Sequence, residues 1–238
     1  MSWLNWIVEP ESWLAFATLL ALEIVLGIDN VIFISILADK LAANKRARAR
    51  TLGLGLAMGT RVVLLFCIDW VSELTTPLFS VFAHTISGRD LVFIAGGLFL
   101  LGKSSLEIHH KMTAGKESAG VRATASFAGV IIQILLLDIV FSIDSVITAV
   151  GMVDEVAIMI LAVILATIVM IAFSAGISAF VDRYPTFKML ALSFLVLIGV
   201  VLIAEGLHQH IPKGYIYFAM AFAVLVELLN LSIRKRIK

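Results

Sequence analysis

Seven apolar stretches, each long enough to cross a bilayer core, constrain this chain more than any other feature. A transmembrane helix needs about 20 predominantly apolar residues, and 61% of the chain is hydrophobic while only 15% is charged. We therefore predict an all-α membrane protein with seven transmembrane helices in a single transmembrane domain, residues 1–238. The predicted spans are 13–38, 50–71, 90–108, 125–150, 154–180, 187–207 and 214–233. Segment 72–89 is too polar to span and is predicted to be an interfacial helix or loop.

The positions of Lys and Arg predict the orientation of the chain, because cytoplasmic loops carry an excess of both. All but three of the 18 Lys and Arg residues fall in segments that would share one side of the membrane. These segments are loop 39–50, loop 103–124, turn 182–188 and the C-terminal tail. We predict a multi-pass protein of the cell inner (plasma) membrane, with the N-terminus outside and the C-terminus cytoplasmic. This topology accounts for the basic loops, so we infer no nucleic-acid binding.

Two ten-residue segments of the chain, 23–32 and 138–147, match each other without gaps. Six of the ten positions are identical, and both segments begin with an acid and carry Asp at the seventh position. The first lies in span one and the second in span four, so the two helices run in opposite directions. We predict two inverted three-helix repeats, 13–108 and 125–207, plus a seventh helix, 214–233. Inverted repeats of this kind place a transport site near the bilayer midplane.

The acids inside these segments are the main candidates for function. A carboxylate within a membrane span costs at least about 2.5 kcal/mol, and such groups typically mark ion pathways or proton relays. Their ligands would be oxygens, which suit Mg²⁺, Ca²⁺ and Mn²⁺, whereas Zn²⁺ and Cu⁺ are disfavoured because the motif has no Cys or His. Protons replacing a departing cation would make proton exchange chemically natural. The predicted metal ligands are Glu23, Asp29, Asn30, Asp138, Asp144 and Ser145.

Helix periodicity places these candidates on different faces. Residues seven apart share a face, so the first acid of each repeat faces with the amide or hydroxyl seven positions later. Residues six apart point about 120° away from each other. Asp29 and Asp144 would therefore join the other ligands only if each helix unwound locally. Gly27 and Ser142 stand where that unwinding is predicted.

Two basic residues of the spans are candidate counter-ions. Arg61 lies inside the second span, and Lys103 lies near the inner end of the third. Either would occupy the acids when the metal is absent. The structural alternative is that the acids pair with Arg61 or Lys103 to hold helices together, since polar contacts between membrane helices stabilise modestly.

Three segments carry a resemblance to a known family: 22–30, 137–151 and 212–220. They resemble the TerC (tellurite-resistance C) family over essentially the whole chain, in a short form without the CBS-pair domains of some relatives. The resemblance implies a seven-helix fold of the LysE-like transporter superfamily. It also implies export of divalent metal, chiefly Mn²⁺ with Ca²⁺ as second candidate, supplied to proteins made outside the cytoplasm. The family's acidic residues carry over onto Glu23, Asp29, Asp138 and Asp144, with Asn30 and Ser145 beside them.

The leading hypothesis is a divalent metal exporter that uses alternating access around midplane acids, with the cation as cargo, no tightly bound cofactor and no enzymatic activity. One alternative is an intramembrane aspartyl protease using Asp29 and Asp144. Such a dyad needs two close carboxyls that share a proton, whereas matched pairs of acids favour coordination. Another is a non-transporting accessory of a secretion or assembly complex. The chain is expected to lie in the bilayer. Two candidate partners are a second copy of the chain, forming a homodimer, and a component of the secretion machinery.

Overall fold

The computed structural model describes residues 9–81, 84–113, 126–153 and 155–237, without the side chains of 26, 29, 69, 81, 84, 213 and 234–237. Within these residues, seven helices are long and apolar enough to cross a membrane, which confirms the prediction of seven spans. The elements in chain order are α1 (Pro10–Ala38), α2 (Ala43–Phe66), α3 (Ile68–Glu73), β1 (Pro77–Val81), β2 (His84–Ser87), α4 (Gly88–Thr113), α5 (Phe127–Val150), α6 (Val156–Arg183), α7 (Pro185–Gly206) and α8 (Lys213–Ile237).

Local sequence signals explain several helix ends. Pro10 and Pro185 stand at the first positions of α1 and α7, where a missing N–H costs nothing. Ser126 caps α5 by accepting a 3.0 Å hydrogen bond from the Gly129 N–H. Helix α2 begins at Ala43 rather than at the predicted residue 50. Its first turns are rich in Ala, Lys and Arg, which are strong helix formers, so the helix extends beyond its apolar part.

The interpretation of segment 72–89 as a helix or loop is wrong for residues 77–81 and 84–87, which form strands. Helix α3 ends at Glu73, and the strands β1 and β2 then pair as a two-stranded sheet. Pro77 opens β1, a position at which proline is tolerated in a strand. The short runs that follow mix apolar and β-branched residues with polar ones, a composition that suits a partly exposed strand.

The chain divides into two compact units. Unit one comprises the described residues of Met1–Leu78 and Ala123–Ser178, and unit two those of Phe79–Arg122 and Ala179–Lys238. Unit one thus holds the first two long helices of each predicted repeat, and unit two holds the third helix of each together with α8. An inverted repeat would distribute equivalent helices in this way. The repeat itself, and the single domain over residues 1–238, stay predictions.

Unit one is built on close packing of α2 against α5, with α1 against both. Glycines in the second span suggest a small-residue packing face, and Gly53 bears this out, since an added Cβ would lie 3.0 Å from Ile134 Cδ1. Gly55 and Gly59 do not, because no described atom lies within 4 Å of the corresponding position. Helix α6 completes an apolar cluster with Met159, among other side chains. The middle of this unit is therefore a region of low dielectric constant.

Unit two is built on the packing of α4 against α7. The third span carries the pair Gly96 and Gly97, and such small residues predict close helix packing. A Cβ added at Gly97 would lie 2.6 Å from the Gly199 carbonyl oxygen, and one at Gly199 would lie 3.0 Å from the Gly97 carbonyl oxygen. A Cβ added at Gly206 would likewise lie 2.8 Å from the Asp90 carbonyl oxygen. The prediction of close packing at Gly97 is confirmed. The two backbones touch along this seam because neither carries a side chain there.

Helix α4 begins with a capping box that gives a first testable prediction. Ser87 Oγ accepts from the Asp90 N–H at 3.2 Å, while the Asp90 carboxylate accepts from the Ser87 N–H at 2.9 Å. This reciprocal pair satisfies two backbone donors at the helix start. Ser87→Ala is expected to lower the free energy of unfolding by about 1 kcal/mol, measured by denaturant titration in detergent micelles. Ser105→Ala, an exposed serine of the same helix, should cause no loss, and an equal loss in both variants would contradict the assignment.

Candidate functional site

Three buried charged side chains from three helices of unit one meet in one ionic cluster. Glu23 of α1, Arg61 of α2 and Asp138 of α5 are 6%, 4% and 5% exposed. Arg61 Nη1 donates to Glu23 Oε2 in an ion pair. Arg61 Nη2 and Nε lie 3.2 and 3.3 Å from Asp138 Oδ1. A single guanidinium therefore bridges the first acids of the two sequence repeats. With all three groups ionised, the cluster carries a net charge of −1.

The second oxygen of Asp138 has its own partners. Ser142 Oγ donates to Asp138 Oδ2 at 3.1 Å, and the two residues are four apart on α5, where side chains meet. Thr60 Oγ1 lies 3.0 Å from the same oxygen of Asp138 and 2.8 Å from the Ala57 carbonyl oxygen. The single hydroxyl proton of Thr60 is shared between these two acceptors. Asp138 is thus held on two sides: by hydroxyls at Oδ2 and by the guanidinium at Oδ1.

A small cavity adjoins the cluster. It is lined by Glu23, Arg61 and Ser145 together with apolar side chains of α1, α2, α5 and α6. Its volume of about 10 Å³ is room for roughly one water molecule. A cation that retained several of its own water ligands would need the surrounding side chains to move. Glu23 therefore contacts the Arg61 guanidinium and also lines this cavity.

The structure brings only some of the predicted ligands to this place. Ser145 reaches the cavity, while its hydroxyl donates to the Ser142 carbonyl at 3.2 Å. Asn30 is half-buried on α1, seven residues beyond Glu23. Asp144 is half-buried on α5, six residues beyond Asp138, which is about 9 Å along the helix axis. Asp29 lies in α1, but its side chain is outside the described part of the structure.

The local unwinding that Asp29 and Asp144 would need to join the other ligands is not seen in α1 or α5. Helix α1 runs unbroken through Gly27, and α5 runs unbroken through Ser142. Gly27 serves helix packing, because an added Cβ would collide with Met170 Sδ of α6. Ser142 serves Asp138 as a hydrogen-bond donor. Both small residues therefore have a role in an intact helix.

The candidate counter-ions have different placements. Arg61 contacts Glu23 and Asp138 directly. Lys103 is half-buried on α4 in unit two, and its role stays a prediction. Among the side chains described, no three His, Cys, Asp or Glu groups lie close enough to hold a metal ion. The cluster thus has two carboxylates and a protein cation between them.

Sequence reasoning missed Thr60. The residue stands next to Arg61 on α2, and its hydroxyl helps to hold Asp138. A threonine in an apolar helix usually bonds the carbonyl of its own preceding turn, so its sequence context carries no signal for a contact with another helix. The signal for Arg61 was stronger, because a charged residue within a span has to find a partner.

Seven membrane-length helices and a buried ionic cluster define a multi-pass integral membrane protein and are consistent with a membrane transporter. The chain belongs to the TerC family: the model of the family described as "Integral membrane protein TerC family" matches residues 8–238.

Relatives of known sequence agree with this assignment. The chain is 54% identical to a UPF0053 protein of Haemophilus influenzae over 98% of this chain and 99% of that one. It is 53% identical to the UPF0053 inner membrane protein YgdQ of Escherichia coli K12, over 97% of each. It is 46% identical to the longer YoaE of the same strain, over 98% of this chain and 45% of that one. The inner-membrane names and the seven apolar helices support a multi-pass inner membrane protein. No solved structure matches the chain.

Proposed function

We propose that this protein exports divalent metal ions, Mn²⁺ first and Ca²⁺ as the alternative, by alternating access around the acids of the two matched motifs. The observation that carries the proposal is the pair of buried carboxylates, Glu23 and Asp138, supplied by equivalent positions of the two motifs and bridged by Arg61. A protein that needed only a brace between helices would have little reason to bury two acids on one cation, because buried ion pairs contribute little net stability.

The chemistry of the donor set favours hard divalent cations. Carboxylates are joined by the hydroxyls of Thr60 and Ser142 at Asp138, and by Ser145 at the cavity. Oxygen donors of this kind suit Mn²⁺, Ca²⁺ and Mg²⁺. Asp144 and Asp29 are the acids that would complete the site when the cation enters. Protons taken up by Asp144 and Asp29 after the cation leaves would couple export to a proton gradient.

The two alternatives have less support. The protease alternative would need Asp29 and Asp144 to share a proton at close range, whereas the buried contacts that support our proposal are those of Glu23 and Asp138 with Arg61. A non-transporting accessory could use the cluster only to join α1, α2 and α5, and polar contacts between membrane helices stabilise modestly. The proposed orientation, with the N-terminus outside and the C-terminus cytoplasmic, would make export the movement from the C-terminal side to the N-terminal side. A second copy or a secretion-machinery component as partner stays a proposal.

The test is uptake of radioactive Mn²⁺ by inverted membrane vesicles, in which export appears as accumulation. Asp138→Asn, Asp144→Asn and Asp29→Asn are each expected to lower the initial rate about tenfold or more, because a charged ligand contributes about 1.5–3 kcal/mol and each 1.4 kcal/mol is a factor of ten. Parallel uptake of Ca²⁺ ranks the two cations.

The matched control for these variants is Asp182→Asn, the same chemical change at an acid that is 43% exposed. It is expected to leave transport at the wild-type rate. Wild-type rates in all three motif variants would contradict the proposed site. Absence of any Mn²⁺ or Ca²⁺ movement by the wild-type protein would contradict transport itself and would favour the accessory role.

A further inference from the structure

Arg61 occupies both carboxylates that the proposed function assigns to the cargo. Its Nη1 contacts Glu23 Oε2, and its Nε and Nη2 contact Asp138 Oδ1. We propose that Arg61 is a tethered cation that replaces the transported ion in the empty carrier. It would thereby let the empty carrier return to the conformation that binds new cargo. This inference rests on the proposed function and assigns one residue to one step of its cycle.

The charge of the site explains why the return step needs such a residue. Without Arg61, the empty site would hold two buried carboxylates and a charge of −2. The two carboxylates are close enough for one guanidinium to contact both, so their like charges repel. Each ionised group also loses its hydration in a protein interior. With Arg61 between them, the charge of the empty site is −1 and each carboxylate has a cationic partner. An alternating-access carrier has to change the side to which its empty midplane site opens, and the site is closed off from water during that change, so this difference in charge affects that step directly.

The contacts also show how cargo and Arg61 would exclude each other. The cavity beside Glu23 and Ser145 is also lined by Arg61 and has room for about one water molecule. A divalent ion placed there would face a positive charge at short range. The cation can bind both carboxylates only when Arg61 withdraws from them. The two cations therefore compete for the same oxygens, as a substitute for the cargo has to do.

Asp138 is prepared for this exchange. Its Oδ2 is held by Ser142 at 3.1 Å and by Thr60 at 3.0 Å, independently of Arg61. Its Oδ1 is the oxygen that Arg61 uses. When Arg61 leaves, the carboxylate keeps its orientation and presents a vacated oxygen.

The experiment compares two fluxes in liposomes that contain the purified full-length chain. Net flux is uptake of radioactive Mn²⁺ into metal-free liposomes, which requires the empty carrier to return. Exchange is uptake into liposomes loaded with unlabelled Mn²⁺, in which the carrier returns loaded. The readout is the ratio of net flux to exchange within each variant, which cancels differences in the amount of active protein.

Arg61→Gln is expected to lower this ratio at least tenfold while exchange continues. Arg61→Lys keeps the charge but not the forked geometry, and its ratio should stay within about threefold of the wild type. Arg61→Gln combined with Glu23→Gln restores a site charge of −1, so its ratio should return toward the wild-type value even though its total flux is lower. A structural role of Arg61 predicts instead that both fluxes fall together in the Lys and Gln variants, with unchanged ratios.

Each possible result either supports or overturns the proposed role of Arg61. A wild-type ratio in Arg61→Gln overturns the inference, as does a parallel loss of both fluxes in Arg61→Gln protein that elutes as a single species on gel filtration. If Arg61→Gln does not fold, the double variant carries the test, and a ratio tenfold below the wild type overturns the inference. A wild-type protein that moves neither Mn²⁺ nor Ca²⁺ in either assay refutes the proposed function as well, whereas wild-type transport with an unchanged Arg61→Gln ratio refutes this inference alone.

Discussion

Asp138→Ala is expected to lower the free energy of unfolding by about 3–5 kcal/mol, because removing one partner of a buried ion pair leaves an uncompensated charge. Arg61 is 4% exposed and has contacts to both acids. With Asp138 truncated, its Nε and Nη2 lose their acceptor, and Ser142 and Thr60 lose the oxygen that they hold. The measurement is equilibrium unfolding in detergent micelles, followed by tryptophan fluorescence.

Two comparisons separate this effect from a general loss of packing. Asp182→Ala removes the same kind of group from a site that is 43% exposed, where its 3.5 Å ion pair with Lys188 is worth about 1 kcal/mol or less. The triple variant Glu23→Gln, Arg61→Met, Asp138→Asn removes all three charges together and should recover most of the lost stability, since apolar or neutral replacements of buried ion clusters are often neutral. A loss below about 1 kcal/mol in Asp138→Ala would show that the cluster is hydrated and weakly coupled.

Gly97→Val is expected to lower the stability of unit two by about 1–3 kcal/mol, or by more, because overpacking displaces the surrounding structure. The first atom of the new side chain would lie 2.6 Å from the Gly199 carbonyl oxygen and 3.1 Å from the Ile203 backbone nitrogen. Backbone atoms cannot turn aside as a flexible side chain can, so α4 and α7 have to separate. Unfolding of the purified protein in micelles, followed by circular dichroism, measures the loss.

The same helix provides a matched control for this prediction. Gly102→Val makes an identical change five residues further along α4, where no described atom lies within 4 Å of the added Cβ. It is expected to be neutral or slightly stabilising, because valine has a higher helix propensity than glycine. Equal losses in both variants would place the cause in α4 itself and not in its seam with α7.

Much of the membrane architecture could be predicted from the sequence, because its cause is local. Length and hydrophobicity decide whether a segment can span a bilayer, and both are properties of consecutive residues. The predicted stretch 154–180 corresponds to α6, Val156–Arg183, within a few residues. The two strands that begin with Pro77 were missed because a strand forms by pairing with a partner. Short segments of mixed polarity give little sign of that pairing.

The candidate site was predictable only in part. Both first acids of the repeats, Glu23 and Asp138, were identified because charge inside a span is costly and therefore informative. Arg61 and Lys103 were both counter-ion candidates, and the packing of α2 against α1 and α5 shows that Arg61 contacts the acids. Thr60 was absent from the prediction, because its contact with Asp138 joins residues 78 positions apart.

The sequence by itself determined that this chain is a membrane protein with seven spanning helices and matched acidic motifs, since apolar length and intramembrane charge act through short-range physics. The tertiary structure decided which groups meet. It kept α1 and α5 intact, placed Arg61 between Glu23 and Asp138, and assigned Ser142 and Thr60 to one carboxylate oxygen. These outcomes depend on how helices from distant parts of the chain pack, and helix periodicity describes the faces of one helix but not the neighbour that each face contacts.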